Sequence, residues 1–457
     1  MNVPAEIFRT YDIRGVVGRT LTADIVFRIG QALGTLAKER GAPTFAIGRD
    51  GRLSGPELSG ALVEGLLAAG ADAIDIGMAP TPVTYFAAFH LDCASCVSVT
   101  GSHNPPDYNG LKLVIGGNTL YGEDIQRIRT IIESGKCSSG QGKRSQADVV
   151  DAYVRRITSD VKLARPMRIA VDCGNGVAGA VAPKLYRALG CEVEELYCDV
   201  DGHFPNHHPD PSQPKNLREL ILRLKDSSCE IGFAFDGDGD RLGLVTKDGE
   251  IIYADRQLML YAKDLLSRNP GAEILYDVKS TRLLAPWIEK HGGRATIWKT
   301  GHSLIKAKLR ETGALLAGEM SGHTFFKERW YGFDDALYCG ARLLEIVSKE
   351  PDANPILKAL PNAPSTPELH WSLEEGEPHA LVAKLQQSKP FPGARRILTI
   401  DGVRVEYDDG FGLARASNTT PVIVLRFEAD TAGALERIKT AFRNALQPLK
   451  PNAPLPY

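Results

Sequence analysis

One stretch of the sequence decides the fold: the apolar run Pro43-Thr44-Phe45-Ala46-Ile47 is followed at once by the polar run Gly48-Arg49-Asp50-Gly51-Arg52-Leu53-Ser54-Gly55. Residues 56–69 then carry a helical pattern, and after a glycine break a second apolar run covers residues 73–76. A strand, a polar loop, a helix and a strand in this order form half of a β-α-β layer. The sequence therefore predicts a sheet whose strands are connected through helices.

The same layout occurs twice more. A second copy begins at the predicted strand Arg168–Val171 and a third at Ile274–Tyr276, each followed by a polar loop, a helix, a glycine and another strand. The copies recur roughly every 105 to 125 residues, which is the size of a domain and not of a solenoid repeat. We therefore predict three related α/β domains. In open α/β sheets the loops that leave the carboxyl ends of strands carry the ligand site.

The C-terminal part of the chain has a different pattern. Prolines at 361, 364 and 367 indicate a linker. Beyond it, two apolar runs flank Asp401-Gly402, which predicts a hairpin with a type I′ turn, and a final helix carries one apolar stripe. The predicted fold class is α/β, with three related α/β domains with mixed sheets and a smaller C-terminal α+β domain around a central cleft. We place the domains at residues 1–148, 149–250, 251–362 and 363–457.

The composition is that of an ordinary globular protein, with 43% hydrophobic and 24% charged residues and a net charge of −2. No block of lysine or arginine would recruit nucleic acid or an anionic membrane, and no apolar run reaches about 18 residues. We therefore predict a soluble, cytoplasmic protein without a nucleic-acid or membrane partner. We separately expect a monomer that acts on a small molecule. Cys93 and Cys96 form a C-x-x-C pair, but without a second pair or a suitably spaced histidine we interpret them as structural thiols.

The aspartate loop, Phe235-Asp236-Gly237-Asp238-Gly239-Asp240-Arg241, follows an apolar strand. Alternating carboxylates separated by glycines let a tight loop turn several oxygen ligands toward one divalent cation, and ligands of oxygen alone favour Mg²⁺ over zinc. An EF-hand is excluded because its sixth position requires glycine and is Arg241 here. The loop therefore predicts a metal site formed by Asp236, Asp238 and Asp240.

Three further loops carry polar groups. The serine loop, Val99-Thr100-Gly101-Ser102-His103-Asn104-Pro105-Pro106, would leave Ser102 exposed at the end of a strand, although serine in such a loop is more often a turn residue than a nucleophile. The arginine loop, Arg415-Ala416-Ser417-Asn418-Thr419-Thr420-Pro421, offers a cradle for a tetrahedral anion. The glutamate loop, Gly318-Glu319-Met320-Ser321-Gly322-His323, has groups that suit sugar hydroxyls.

One motif points elsewhere. Gly174-Asn175-Gly176-Val177-Ala178-Gly179 matches the dinucleotide pattern G-x-G-x-x-G after a strand. The two sister copies of the layout lack these glycines, and a single short match has a high false-positive rate. We therefore favour a structural role for this loop.

Taken together, the four loops resemble those of the α-D-phosphohexomutase superfamily, specifically its bacterial phosphomannomutase/phosphoglucomutase branch, and they occur in the family's order over essentially the whole chain. The serine, aspartate, glutamate and arginine loops are similar to its phosphoserine, metal, sugar-specificity and phosphate-binding loops. The family also has four domains, of which the first three are alike. The resemblance implies reversible phosphoryl transfer between the 1- and 6-positions of mannose and glucose phosphates, through phospho-Ser102 and a 1,6-bisphosphosugar.

The resemblance also implies a role for individual residues. Ser102 would carry the phosphoryl group and share a Mg²⁺ ion with the three aspartates, Lys112 and His323 would do acid/base work, and Arg241 would neutralise charge. Because a serine that loses its phosphate would stall the enzyme, we expect glucose 1,6-bisphosphate or mannose 1,6-bisphosphate to be an activator. The expected substrate contacts are Tyr11, Arg14, Lys279, His302, Glu319, Ser321, His323, Arg415, Ser417, Asn418 and Thr419.

Three alternatives remain open from the sequence. A phosphoglucosamine mutase of the same superfamily would turn over glucosamine 6-phosphate, although Met320 and Thr100-Gly101 look more like the mannose/glucose branch. A Mg²⁺-dependent sugar phosphatase would release inorganic phosphate at every turnover. A pure phosphosugar-binding protein would need neither Ser102 nor the three aspartates.

Overall fold

The computed structural model describes residues 3–388, 391–418 and 420–457. Four β-sheets follow one another along the chain, and helices pack against each of them. Within the described part of the chain, no helix is both long and apolar enough to span a bilayer. The predicted fold class, three α/β units with mixed sheets and a smaller C-terminal α+β unit, is confirmed.

The first sheet contains seven strands in the order β1-β5-β4-β2-β3-β7, with β6 beside β5. Strand β2 runs parallel to both β3 and β4, and β5 runs antiparallel to β4. The elements are β1 (Ile13–Val16), α1 (Ala23–Glu39), β2 (Thr44–Arg49), α2 (Gly55–Ala68), β3 (Asp72–Met78), α3 (Thr81–His90), β4 (Ser95–Val99), β5 (Tyr108–Ile115), β6 (Asn118–Thr119), α4 (Glu123–Ser134) and β7 (Arg144–Gln146).

The second sheet has the order β12-β11-β10-β8-β9. Its elements are α5 (Val150–Asp160), β8 (Arg168–Asp172), α6 (Ala182–Ala188), β9 (Glu192–Leu196), α7 (Arg218–Asp226), β10 (Ile231–Phe235), β11 (Leu242–Thr246) and β12 (Ile251–Ile252). The third sheet has the order β14-β13-β15-β16. Its elements are α8 (Ala254–Arg268), β13 (Glu273–Asp277), α9 (Leu284–Lys290), β14 (Arg294–Trp298), α10 (His302–Thr312), β15 (Leu316–Gly318), β16 (Thr324–Phe326), α11 (Ala336–Val347) and α12 (Ala353–Lys358).

The three sheets share one topology. In each, a central strand (β2, β8 or β13) has a parallel neighbour on both sides. Beyond one of these neighbours (β4, β10 or β15) lies an antiparallel strand (β5, β11 or β16). The loop between that neighbour and the antiparallel strand is therefore equivalent in all three domains, and it is the serine loop, the aspartate loop and the glutamate loop in turn. One topological position supplies three of the four predicted loops.

The fourth sheet is antiparallel and has the order β17-β21-β20-β19-β18. The predicted hairpin is present, but the predicted type I′ turn is wrong: β18 ends at Leu398 and β19 starts at Val403, and of the residues between them, all described, only Gly402 has a positive φ. A type I′ turn requires two such residues. The elements are β17 (Leu369–Ser372), α13 (Glu377–Ser388), β18 (Arg396–Leu398), β19 (Val403–Tyr407), β20 (Gly410–Ala416), β21 (Val422–Ala429) and α14 (Ala432–Leu446).

The hydrophobic cores divide in an unequal way. One large cluster runs from the helices of the first domain through the second and into the third, and it includes Phe86, Tyr186, Phe233 and Tyr338. The first domain also has a separate cluster against helices α1, α2 and α4, and the fourth domain has one around Trp371, Phe427 and Phe442. The first three domains are thus packed through a continuous apolar interior, which favours a fixed relative placement of their loops.

Candidate active site

Ser102 lies at the start of the serine loop and is buried, with 2% of its surface exposed. The expectation of an exposed serine is wrong, because the aspartate loop of the second domain covers it: a Cβ atom at Gly237 would lie 2.3 Å from the Ser102 carbonyl oxygen. The Ser102 hydroxyl donates to Asp236 Oδ2 at 3.0 Å and lies 3.1 Å from His103 Nδ1. The backbone at Ser102 has φ of 49°, in the left-handed region.

The three aspartates of the aspartate loop converge beside this serine. One carboxylate oxygen from each of Asp236, Asp238 and Asp240 lies within 4.8 Å of the others, and all three side chains are fully buried. The backbone N–H groups of Asp240 and Arg241 donate to Asp236 Oδ1, each at 3.1 Å, which closes the turn. Burial and the neighbouring carboxylates raise the pKa of Asp236 well above its usual range.

Two cations balance this charge. Lys112, on β5, donates to Asp238 Oδ2 at 2.7 Å and also to Asp240 Oδ2. Although burial opposes the charged form of both groups, these carboxylates raise the pKa of Lys112, and Lys112 helps to lower the pKa of Asp240. Arg241 lies 3.8 Å from Asp236 Oδ2 through its Nε atom. The hydroxyl of Thr81 donates to Asp238 at 2.6 Å, so the first domain contributes a further contact.

The aspartates are suited to a divalent cation. Buried Asp238 Oδ1 has no hydrogen-bond partner among the residues that the structure describes, and buried Asp240 Oδ1 has no hydrogen bond there either, although His323 Nε2 lies 3.3 Å from it. Buried carboxylate oxygens without partners are costly unless a cation satisfies them. Three hard oxygen donors next to a hydroxyl are ligands typical of Mg²⁺.

His323, at the end of the glutamate loop, touches both the aspartate loop and its own loop. Its Nε2 atom lies 3.3 Å from Asp240 Oδ1, and its Nδ1 atom lies 2.8 Å from Glu319 Oε2 and 3.2 Å from Ser321 Oγ. Burial lowers the pKa of His323, but the Asp240 carboxylate outweighs it and raises the pKa to about 9. Arg241 Nε also lies 3.2 Å from His323 Nε2.

His302 begins helix α10 and lies beside this group. Its ring centroid is 5.6 Å from that of His323 and 6.2 Å from that of Tyr11. The pKa of His302 is well below its usual range, because the ring is buried and Lys306 lies nearby. The structure therefore brings Ser102, the three aspartates, Lys112, Arg241, His302 and the predicted glutamate-loop residues into one cluster.

The arginine loop lies at the far end of the same connected set. Arg415 Nε donates to Asp401 Oδ2 at 3.1 Å, and the backbone N–H of Thr300 donates to that same oxygen at 2.9 Å. The next residue, Gly301, donates its N–H to Glu319 Oε1 at 2.5 Å. An unbroken series of contacts thus joins the arginine loop to the glutamate loop and, through His323, to the aspartates.

Tyr11 connects three domains at this end. Its hydroxyl donates to the carbonyl oxygen of Thr300 at 2.9 Å and accepts from the amide of Asn418. Ser417 is partly buried, and its hydroxyl accepts from the backbone N–H of Thr420 at 3.3 Å. The predicted contact Thr419 lies outside the described residues.

Two predicted substrate contacts are held by carboxylates of this chain. Lys279 donates to Glu368 Oε1 at 2.6 Å, across the boundary to the fourth domain. Arg14 pairs with Asp12, and its Nε atom is buried without a hydrogen-bond partner in the described parts of the chain. Both cations therefore already have one anionic partner and could take an anion of a substrate in addition.

The sequence reasoning missed several residues that shape this site. Asp50, Arg52 and Asp401 all contact predicted site residues or their backbone. The polar loop after β2 was a signal for the first two, since loops at that edge of a sheet carry ligand sites. The G-x-G-x-x-G motif is explained by packing: the Val177 N–H donates to the Gly237 carbonyl at 3.1 Å, so this loop supports the aspartate loop.

The chain matches four family descriptions in order. These are phosphoglucomutase/phosphomannomutase alpha/beta/alpha domain I (residues 5–138), domain II (151–249) and domain III (253–363), and the phosphoglucomutase/phosphomannomutase C-terminal domain (368–445).

Full-length relatives agree. The chain is 56% identical over 456 residues to a phosphomannomutase/phosphoglucomutase of Pseudomonas aeruginosa, covering 100% of this chain and 98% of the relative. It is 57% identical over 449 residues to a phosphoglucomutase of Neisseria meningitidis, covering 98% of each. A crystal structure of a phosphoglucomutase/phosphomannomutase family protein from Burkholderia thailandensis superposes with a TM-score of 0.95 at 57% identity over 100% of both chains. These matches confirm the family resemblance and the predicted enzyme class, an isomerase: the chain belongs to the phosphoglucomutase/phosphomannomutase family.

Proposed function

We propose that the enzyme moves a phosphoryl group reversibly between the 1- and 6-positions of glucose and mannose phosphates through phospho-Ser102. The observation that carries the proposal is the position of the Ser102 hydroxyl, 3.0 Å from Asp236 and inside a cluster of charges contributed by three domains. A hydrolase would need only the cluster around Ser102 and the aspartates. The connected arginine loop offers a second place for a phosphate, as a mutase requires. All of these groups belong to one chain, which supports a monomer as the active unit.

The transfer itself is a displacement at phosphorus. The free hydroxyl of the sugar phosphate forms a bond to the phosphorus of phospho-Ser102 while the bond from the serine oxygen breaks, which gives a 1,6-bisphosphosugar and free Ser102. The intermediate then turns end for end and returns its other phosphate to the serine. Such reactions depend on positioning and on charge stabilisation, since there is little covalent chemistry for the protein to do.

The charged residues divide this work. Asp236, Asp238 and Asp240 would hold Mg²⁺, which when bound supplies positive charge to the transferring phosphoryl group. Arg241 lies close enough to the same carboxylates to add to that charge. Lys112 and His323 are the proposed acid and base, because both lie at the aspartate loop: Lys112 donates to Asp238 and Asp240, and His323 Nε2 lies 3.3 Å from Asp240 Oδ1.

The remaining predicted residues would hold the substrate. Glu319 and Ser321 suit the middle hydroxyls of a sugar, and Arg415 with Ser417, Asn418 and Thr419 suits its phosphate. Tyr11, Arg14, Lys279 and His302 would complete the contacts. Free Ser102 left by an escaped intermediate cannot react, so glucose 1,6-bisphosphate or mannose 1,6-bisphosphate should activate the enzyme.

Intact-protein mass spectrometry of wild type and Ser102→Ala tests the proposal. We expect one extra phosphate on wild type only, discharged by glucose 6-phosphate or mannose 6-phosphate, and a loss of kcat of at least about 10³-fold in the variant, because the nucleophile is gone. Ser59→Ala, which removes a half-buried hydroxyl of the same domain that donates to the nearby Pro56 carbonyl, is the matched control and should behave as wild type. An active Ser102→Ala enzyme would contradict the proposal.

The same preparation tests the substrate. Comparable kcat/KM for glucose and mannose phosphates is the expected result. A preference for glucosamine 6-phosphate would indicate a phosphoglucosamine mutase, and release of inorganic phosphate at each turnover would indicate a phosphatase.

A further inference from the structure

Arg52 lies in the loop after β2, outside the four predicted loops, and its side chain is completely buried. Its guanidinium group reaches the serine loop, which lies some fifty residues further along the chain. It donates to three backbone carbonyl oxygens there, those of Ser102 at 2.8 Å, Asn104 at 2.6 Å and Pro105 at 2.5 Å, and to that of Tyr108, at the start of β5, at 2.9 Å. One side chain thus satisfies four carbonyl groups between Ser102 and Tyr108.

Asp50 holds the other side of the serine loop. Its Oδ2 atom accepts from the Thr100 hydroxyl at 2.8 Å, from the Gly101 N–H at 3.1 Å and from Arg52 Nε at 3.2 Å. Its Oδ1 atom accepts from the backbone N–H of Arg52 at 3.0 Å. The two side chains therefore form one unit that binds the backbone before and after Ser102.

The backbone that they hold needs such support. A serine with φ of 49° costs about 1 kcal/mol or more relative to ordinary backbone, and it persists only where its surroundings determine it. Gly101 is fitted to the guanidinium, since a Cβ atom there would lie 2.4 Å from Arg52 Cζ. The ring of Phe204 from the second domain covers the guanidinium at 5.2 Å and shields it from solvent.

We propose that Arg52, with Asp50, is the positioning residue of the serine loop and fixes the direction in which the Ser102 oxygen faces Asp236. The inference rests on the proposed function, since the oxygen to be aimed is the one that carries the phosphoryl group. Arg52 acts through the backbone and does not touch the substrate. A planar group with five N–H donors can serve four carbonyls at once, and a lysine cannot.

The test is Arg52→Lys, with Arg49→Lys, at the end of β2, as the matched control. We expect kcat to fall about 10- to 100-fold with KM changed less than about twofold, as for a misplaced reacting group. The ³¹P chemical shift of phospho-Ser102 should move, and the ratio of phosphoserine hydrolysis to transfer should rise. A purely structural role would change none of these in the folded variant. Wild-type kcat and an unchanged ³¹P shift in Arg52→Lys would overturn the proposal.

Two further measurements keep the result clear. If Arg52→Lys does not fold, Asp50→Asn is measured instead, because it disturbs the same pair of side chains with a smaller change. A wild-type kcat and an unchanged ³¹P shift in Asp50→Asn would also overturn the proposal. Phosphorylation of the wild-type chain is measured first. Its absence would mean that the proposed function has failed, whereas a phosphorylated wild type with unaffected Arg52→Lys and Asp50→Asn variants would mean that only the positioning role has failed.

Discussion

The site has two ends that differ in burial. At the end with the serine and aspartate loops, called here the reacting end, Ser102 and the three aspartates are at most 2% exposed. At the end with the arginine loop, called here the remote end, Ser417 and Asn418 are only partly buried. The reacting end is assembled from three domains that share a continuous apolar interior. The remote end belongs to a fourth domain with a core of its own, joined to the third by contacts such as those of Arg404 with the backbone of Val278 and Ser280.

The difference fits what each end would do in the proposed function. The reacting end would stabilise charge that develops during transfer, and preorganised groups in a dry site do so best. The remote end would accept a phosphate that alternates between two positions on the sugar, and would bind and release it without taking part in the chemistry. Rigid burial suits the first task, and a loop that is partly exposed suits the second.

The largest effect is expected from Asp238→Asn at the reacting end. Removing one carboxylate from the proposed cation site should lower kcat by about 10²- to 10³-fold. Added Mg²⁺ should raise the Tm of wild type, because a ligand that binds only the folded state stabilises it, and it should not raise the Tm of the variant. The exposed Asp226→Asn is the control. Equal Mg²⁺ shifts in wild type and Asp238→Asn would contradict a metal site at these aspartates.

The sequence predicts the features of the site that local patterns determine, and it misses those that depend on contacts between distant parts of the chain. The three sheets and the four loops follow from local patterns of strands, helices and glycines. The burial of Ser102 does not, since the loop that covers it comes from another domain. Arg52 was missed for the same reason, because its carbonyl partners lie about fifty residues away and nothing local to Arg52 indicates them. The predicted type I′ turn was wrong because the connection between β18 and β19 is longer than two residues and, among its residues, which the structure describes in full, only Gly402 has a positive φ. The contacts of the Asp401 carboxylate with Arg415 and Thr300 are long-range and do not show in the local pattern.

A smaller effect is expected from Asp401→Asn at the remote end. The substitution weakens the contact that orients Arg415 and ties it to Thr300, and a charge-assisted hydrogen bond of this kind contributes about 1.5 to 3 kcal/mol. Because the side chain can still accept one hydrogen bond, we expect KM to rise about threefold to tenfold while kcat stays within about twofold. Asp408→Asn, an exposed change in the same domain, is the control. A fall in kcat at unchanged KM would contradict the prediction that the remote end affects substrate binding and not the chemical step.

The last expected effect concerns stability and leaves the chemistry untouched. Asp335 follows Asp334, one carboxylate oxygen of which lies within 4.8 Å of ligand atoms of Asp240 and His323. Asp335 accepts from Tyr153 Oη at 2.8 Å and from Trp330 Nε1 at 3.1 Å, which joins the second and third domains. Burial, assisted by neighbouring Asp334 and opposed by these hydrogen bonds, raises the pKa of Asp335 from 3.8 to about 7. The folded state therefore binds more protons than the unfolded chain between these two values. The stability that this group contributes is present at low pH and is lost as pH rises through that window.

Asp335→Asn removes the titration and so tests this sign. The free energy of unfolding of wild type should fall relative to that of the variant by on the order of 1 kcal/mol per pH unit between pH 5 and pH 7, measured by urea unfolding. Glu57→Gln, an exposed carboxylate in the first domain, should leave the wild-type profile unchanged. Parallel profiles for wild type and Asp335→Asn would show that this carboxyl stays ionised and would contradict the prediction.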